Sequence, residues 1–306
     1  MSAPVGAPAG PRTASAAAFS PLDWALLSGV ALAWGASFLF IELGLDHFEP
    51  GLVAFLRVFF GAVTLALVPG ARRSVPRSEL PKVALLGVVW MAAPFMLFSV
   101  AQQWIDSSLA GMINAAAPLF TALIAALVVR HLPGRLQAGG LVVGFLGVVA
   151  IASPSLGEGH SETVGILLVL LAAVLYGCAF NLAAPLQRRN GALPVIWRAQ
   201  LVALVLLSPV AGVSARGSSF AWSSLLAMVA LGSIGTALAF VWFTTLVGRM
   251  GPTRGSVTIY FIPVVAIVLG AVLLDESIHL AALLGTALVL AGAYLTSRRE
   301  PARPGS

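Results

Sequence analysis

Asp275 and Glu276 stand side by side in LLDES, with His279 one helical turn beyond Glu276. Two carboxylates beside an imidazole can pass protons, and Glu42, near the end of another apolar run, is of the same kind. Glu42, Glu276 and His279 are therefore the candidates for a coupling relay at a helix end. The spacing matches no recognised ligand set, so no metal and no other cofactor is expected.

A second chemistry belongs to Arg57, the only basic residue well inside an apolar run. A charge at that depth costs at least about 2.5 kcal/mol on insertion scales, so it must face an interior or a wet space. Two readings stay open: an anchor for a substrate carboxylate or phosphate, or a structural partner of helix-end carbonyls or of Glu42. Trp34, Trp90, Trp242, Tyr176 and Tyr260 sit away from the run ends and are candidates to grip an apolar or cationic ligand by ring contact. Ser37, Asn114, Asn181 and Thr258 add uncharged hydrogen-bonding groups at the same depth. Pro118 and Pro263 lie near the middle of their runs, where a missing N–H frees a carbonyl, and are candidate hinges. The lone cysteine, Cys178, excludes an intramolecular disulfide and reads as a small buried apolar residue.

Other chemistries are missing. There is no HExxH, no GxSxG and no nucleotide-binding motif, and the four histidines fall in loops or at run ends; an enzyme or an ATP-driven pump is not expected. The elements that must position these residues are membrane helices. The chain is 306 residues long and 59% hydrophobic but only 9% charged, far from soluble averages. Ten runs near 22–44, 50–69, 83–104, 107–129, 137–154, 164–186, 193–213, 224–247, 253–273 and 278–297 approach the roughly 20 residues that cross a bilayer. They are apolar all round, which argues for helices and against a barrel.

Fourteen of the 17 basic residues fall in alternate loops or tails, which predicts cytoplasmic N- and C-termini in the cytoplasmic membrane. The net charge of +6 then faces anionic lipid, and no nucleic-acid partner is expected. The GLVVG stretch at 140–144 offers a small-residue face for packing within or between chains, and the oligomeric state stays open.

The chain is also duplicated. Pro118 matches Pro263, Gly140 matches Gly285 and Gly147 matches Gly292 at a constant offset of 145, while WGASF (34–38) faces YGCAF (176–180) at 142. Each half holds five helices, so the second enters the membrane upside down. The expected organisation is a disordered tail over 1–20, one five-helix unit over 22–154, its repeat over 164–297 and a tail over 298–306. VVRHL (128–132) falls on LLDES, so one structural corner carries Arg130 and His131 on the cytoplasmic side and Asp275 and Glu276 outside, where the bias toward basic residues is absent.

With WGASF and YGCAF opening each half, PGLVAFLR in helix 2, the mid-helix prolines of helices 4 and 9, and LLDESI followed by LLGTALVLAGAYL, residues 22–298 resemble the EamA branch of the drug/metabolite transporter superfamily. The resemblance implies an all-α polytopic protein of ten transmembrane helices, arranged as two inverted five-helix repeats around a central cavity. It further implies a secondary carrier that moves a small metabolite, outward in many members. An amino-acid-like or amphipathic substrate is the expectation; export of drugs or cations, a channel and a passive scaffold are the alternatives.

Overall fold

The computed structural model describes residues 19–130, 134–154 and 160–297. All but two residues of the expected 1–20 tail, the whole of 298–306, and His131 lie outside them. Ten helical runs and one short 3₁₀ helix (Pro69–Arg72) are present, and there is no strand, among the described residues. The ten runs are α1 (Pro21–Leu45), α2 (Pro50–Ala66), α3 (Arg77–Ala101), α4 (Ser107–Asn114, then Ala117–Val129), α5 (Arg135–Ala152), α6 (His160–Asn190), α7 (Ala192–Ser214), α8 (Trp222–Met250), α9 (Pro252–Gly255, Ser256–Phe261 and Ile262–Leu273) and α10 (Leu280–Ser297). Nine are long and apolar enough to cross a membrane, and α2, with 17 residues, is shorter. In hydrocarbon every backbone group must find its partner inside its own segment, which is why an apolar chain of this kind is helical throughout.

Local signals fix the ends. Ser20 caps α1 and forms a reciprocal capping box with Asp23, whose carboxylate also accepts from Arg249 Nε at 2.6 Å and so ties the start of α1 to the end of α8. Arg130 (φ 52°) and Asp275 (φ 54°), 145 residues apart, both adopt the left-handed conformation just after the fourth helix of their half. The corner seen as a sequence repeat is thus a repeated backbone turn.

The inversion is visible in packing. A Cβ built on Gly140 would lie 2.8 Å from the Gly292 carbonyl, and one on Gly147 would lie 2.6 Å from that of Gly285. As 140 corresponds to 285 and 147 to 292, these are one contact seen from both halves. It makes α5 and α10 antiparallel and backbone-to-backbone, and GLVVG packs within the chain. The motif glycines behave alike: Gly35 of α1 rests on Val265 and Ile262 of α9, and Gly177 of α6 rests on Phe120 and Thr121 of α4. Each half's first helix crosses the other half's fourth through a residue without a side chain.

One shared feature had no sequence signal. Gly87–Ala92 in α3 and Ser233–Leu238 in α8 are π-helical turns at equivalent depths of the two halves. Such single-turn insertions re-aim side chains and recur at functional sites. Gly87 abuts the Ala199 carbonyl of α7, and Gly232 abuts the Arg57 carbonyl of α2. By that equivalence the second-half counterpart of Arg57 is Ala199, so the arginine is unmatched.

Candidate functional site

A cavity of about 270 Å³ lies between the halves, lined from α1, α2, α3, α4, α6, α7, α8 and α9. Its wall is built around a continuous chain of aromatic rings. Phe243 meets Trp34 at 5.0 Å between centroids, Trp34 meets Phe240 at 5.8 Å, and Phe240 meets Trp90 at 5.2 Å. Trp90 then reaches Phe180 at 5.9 Å, Phe180 stacks with Tyr176, and Tyr176 leads through Phe98 to Phe38. Trp90 projects from the π turn of α3. At the corresponding place in α8 stands Gly235, also in the wall, where a Cβ would come within 2.8 Å of Ser37 Oγ. A bulky ring on one side thus faces an absent side chain on the other, and the cavity lacks the two-fold symmetry of its scaffold.

Arg57 is the one formally charged residue among the lining residues. It is 7% exposed, its guanidinium carbon sits 3.7 Å above the centre of Phe95, and its Nε donates to Thr236 Oγ1 at 3.2 Å. Thr236 in turn donates to the Leu231 carbonyl five residues back, the reach of a π turn. No salt bridge pairs Arg57 with a carboxylate among the described residues. Glu42, offered as its partner, instead accepts from Gln102 Nε2 at 3.3 Å, and that same nitrogen donates to the Phe38 carbonyl at 2.9 Å.

Trp34, Ser37, Arg57, Trp90, Asn114, Tyr176 and Pro118 line the cavity. Asn181, Trp242, Thr258, Tyr260 and Pro263 do not. Asn181 Nδ2 donates to the Thr121 carbonyl of α4 and to Gly177 of its own helix, an interhelical clasp. Trp242 covers Gly29 of α1, Tyr260 reaches Ser297 Oγ at 3.4 Å, and Thr258 is fully buried. The prolines do not kink continuous helices. Pro118 falls in the first turn of the second α4 segment, after a break at 115–116, and Pro263 follows the 3₁₀ turn Ser256–Phe261. In a first turn the missing N–H costs nothing, so the interruption precedes each proline.

Of the coupling candidates, Glu42 and Glu276 lie within electrostatic reach of each other, and each is held by its own partners. Glu276 accepts from Ser107 N (2.9 Å), Ser107 Oγ (2.7 Å) and Ser108 N (2.9 Å), capping α4 of the first half with a carboxylate from the second. His279 is exposed at the start of α10. Cys178 is exposed rather than buried. No group of three or more metal-ligating side chains occurs among the described residues.

The model of the EamA-like transporter family matches residues 24–153 and again 163–298. The chain belongs to that family. This EamA transporter is 30% identical over 285 residues to a probable terminal-alkyne amino-acid exporter of Streptantibioticus cattleyicolor, covering 92% of this chain and 94% of that protein. It is 26% identical over 287 residues to a probable amino-acid metabolite efflux pump of Escherichia coli, covering 89% and 94%. An uncharacterized transporter of Archaeoglobus fulgidus is 25% identical over 277 residues, covering 90% and 99%. A solved structure with a TM-score of 0.60 and 18% identity, covering 90% of this chain and 96% of its own, shares the fold. The EamA chain is a multi-pass membrane transporter of small metabolites and not an enzyme.

Phe95, Phe98, Phe180, Phe240 and Phe243 also line the cavity and were not singled out from the sequence. Gln187 and Thr244, three and six residues before the ends of α6 and α8, carry the lining toward one face of the bundle. At the opposite face hydrogen bonds join the halves: Ser224 Oγ to the Leu43 carbonyl, Glu49 N to Ser218 Oγ, and the Glu276 cap on α4.

Proposed function

We propose that this EamA transporter exports a small amphipathic, amino-acid-like metabolite across the cytoplasmic membrane by alternating access, with the substrate carboxylate on Arg57 and its apolar body among the rings. The observation that carries this reading is a desolvated guanidinium in the wall of an aromatic cavity, engaged by a ring and a hydroxyl but by no carboxylate. A buried cation without a counter-ion is costly, and an incoming carboxylate removes that cost with a charge-assisted, bidentate contact. The names of the Streptantibioticus and Escherichia relatives, an amino-acid exporter and an amino-acid metabolite efflux pump, support the substrate class and the direction.

Orientation follows from charge. The ends of α6 and α8, toward which the lining runs, carry Arg188, Arg189 and Arg249, so they face the cytoplasm and both termini lie there. The lining runs toward this cytoplasmic face, which makes the described conformation inward-facing in this reading, and the Arg249–Asp23 and Arg189–Glu79 pairs that join the halves there would have to part for release. In this reading Arg57, Trp34, Trp90, Tyr176, Ser37 and Asn114 contact substrate, and the interruptions before Pro118 and Pro263 supply the hinges.

Counterflow in proteoliposomes tests the proposal. Vesicles loaded with unlabelled compound should take up the labelled one with saturation and competition, as a carrier requires and a channel does not. Flux that never saturates, or none across amino-acid derivatives, organic acids and cationic dyes, would refute it.

A further inference from the structure

The charge inventory of the cavity says more about the substrate than its shape does. Among the lining residues there is one arginine and neither aspartate nor glutamate. Glu42, on α1, lies one turn beyond the lining residue Phe38 and is held by Gln102. Phe95 already carries the Arg57 guanidinium on its face. Trp90 meets both of its aromatic neighbours edge to face, at 83° and 72°, so those rings serve one another.

We infer that the carried species is a monoanion, a carboxylate on an apolar body whose nitrogen is absent or acylated, and that it leaves the cell as an electrogenic uniport driven by the membrane potential. The inference rests on the carrier reading above and adds charge and energy source to it. A monoanion makes the site neutral when occupied, a zwitterion leaves it at +1, and a cation brings it to +2. At an effective dielectric constant near 20, guanidinium–ammonium repulsion at about 6 Å is by itself worth on the order of 100-fold, a repulsion that a monoanion does not meet and that a zwitterion offsets only through its own carboxylate. No counter-charge in the wall offsets that. The same inventory bears on energy. A proton-coupled carrier needs a titratable group that the substrate path alternately exposes, and this wall contains no carboxylate or imidazole. An exported monoanion needs none, because an inside-negative potential expels it, with about a tenfold gradient for each 60 mV.

Three compounds with one benzyl body separate the charges: N-acetyl-L-phenylalanine (−1), L-phenylalanine (zwitterion) and L-phenylalanine amide (protonated, +1). In proteoliposomes with a potassium–valinomycin potential, N-acetyl-L-phenylalanine should accumulate when the interior is positive, about tenfold per 60 mV, and a pH gradient alone should drive nothing. Phenylalanine should move at least tenfold more slowly and the amide not at all. In Arg57→Gln the preference for the anion should collapse, and the wild-type series stands without that variant if it does not fold. Phenylalanine or its amide moving as fast as the acetylated anion, or accumulation that follows the pH gradient and ignores the potential, would overturn the inference and leave the carrier reading intact. If none of the three moves while another metabolite exchanges, the charge assignment falls alone; if nothing exchanges, both fall.

Discussion

Gly292→Ala tests the inverted packing at its tightest point. The added Cβ would lie 2.5 Å from both the Gly140 carbonyl and the Gly144 amide, where ordinary contact begins near 3.4 Å. Both obstacles are backbone, so no side chain can swing aside, and α5 and α10 must part by about 0.9 Å. Overpacking of this kind costs about 1–3 kcal/mol, against about 1 kcal/mol gained by replacing glycine with alanine inside a helix. The control is Gly139→Ala on the facing helix α5, where nothing lies within 4 Å of the new Cβ; it should be neutral or stabilising by up to about 1 kcal/mol. Thermal unfolding of the detergent-solubilised protein, followed by tryptophan fluorescence, should place Gly292→Ala below wild type and Gly139→Ala at or above it. Equal melting of the two variants would refute the claim that these helices meet through bare backbone.

Glu276→Gln should lower thermal stability by about 1 kcal/mol, the usual worth of a helix cap, and Glu276→Ala by more, because the amides of Ser107 and Ser108 lose their carboxylate. The comparison of melting curves checks it. Trp90→Ala removes a ring set 5.9 Å from Phe180 and 5.2 Å from Phe240, and so opens the cavity toward Gly235. It should weaken exchange of small aromatic substrates and admit bodies one ring larger, read as a reversal of preference in competition counterflow.

Much of this architecture was legible because hydrocarbon leaves few choices. Run length gave the helices, and the constant offset of Gly140 with Gly285 and Gly147 with Gly292 gave the inversion, since only glycine permits those contacts. Arg57 was legible by its cost. The face of each helix was not. Trp242, Tyr260, Asn181 and Pro263 each miss the cavity while the adjacent Phe243, Ile259, Phe180 and Ile262 line it. One residue is about 100° of rotation, and position along an apolar run does not supply that direction. In a soluble helix the polar face supplies that direction; a helix apolar all round carries no such mark. The π turns at Gly87–Ala92 and Ser233–Leu238 add a local rotation with no residue signature. Glu276 looked like a coupling acid because its partners, Ser107 and Ser108, are 169 and 168 residues away in sequence.

The central claim is that the cavity around Arg57 is where substrate is carried. Its most direct test is counterflow of a carboxylate-bearing substrate by Arg57→Ala beside wild type, with both shown folded by gel filtration and thermal unfolding. The account predicts selective loss of carboxylate exchange, on the order of 100-fold for a desolvated charge pair. Exchange by Arg57→Ala at the wild-type rate, saturating at the wild-type concentration, would contradict it.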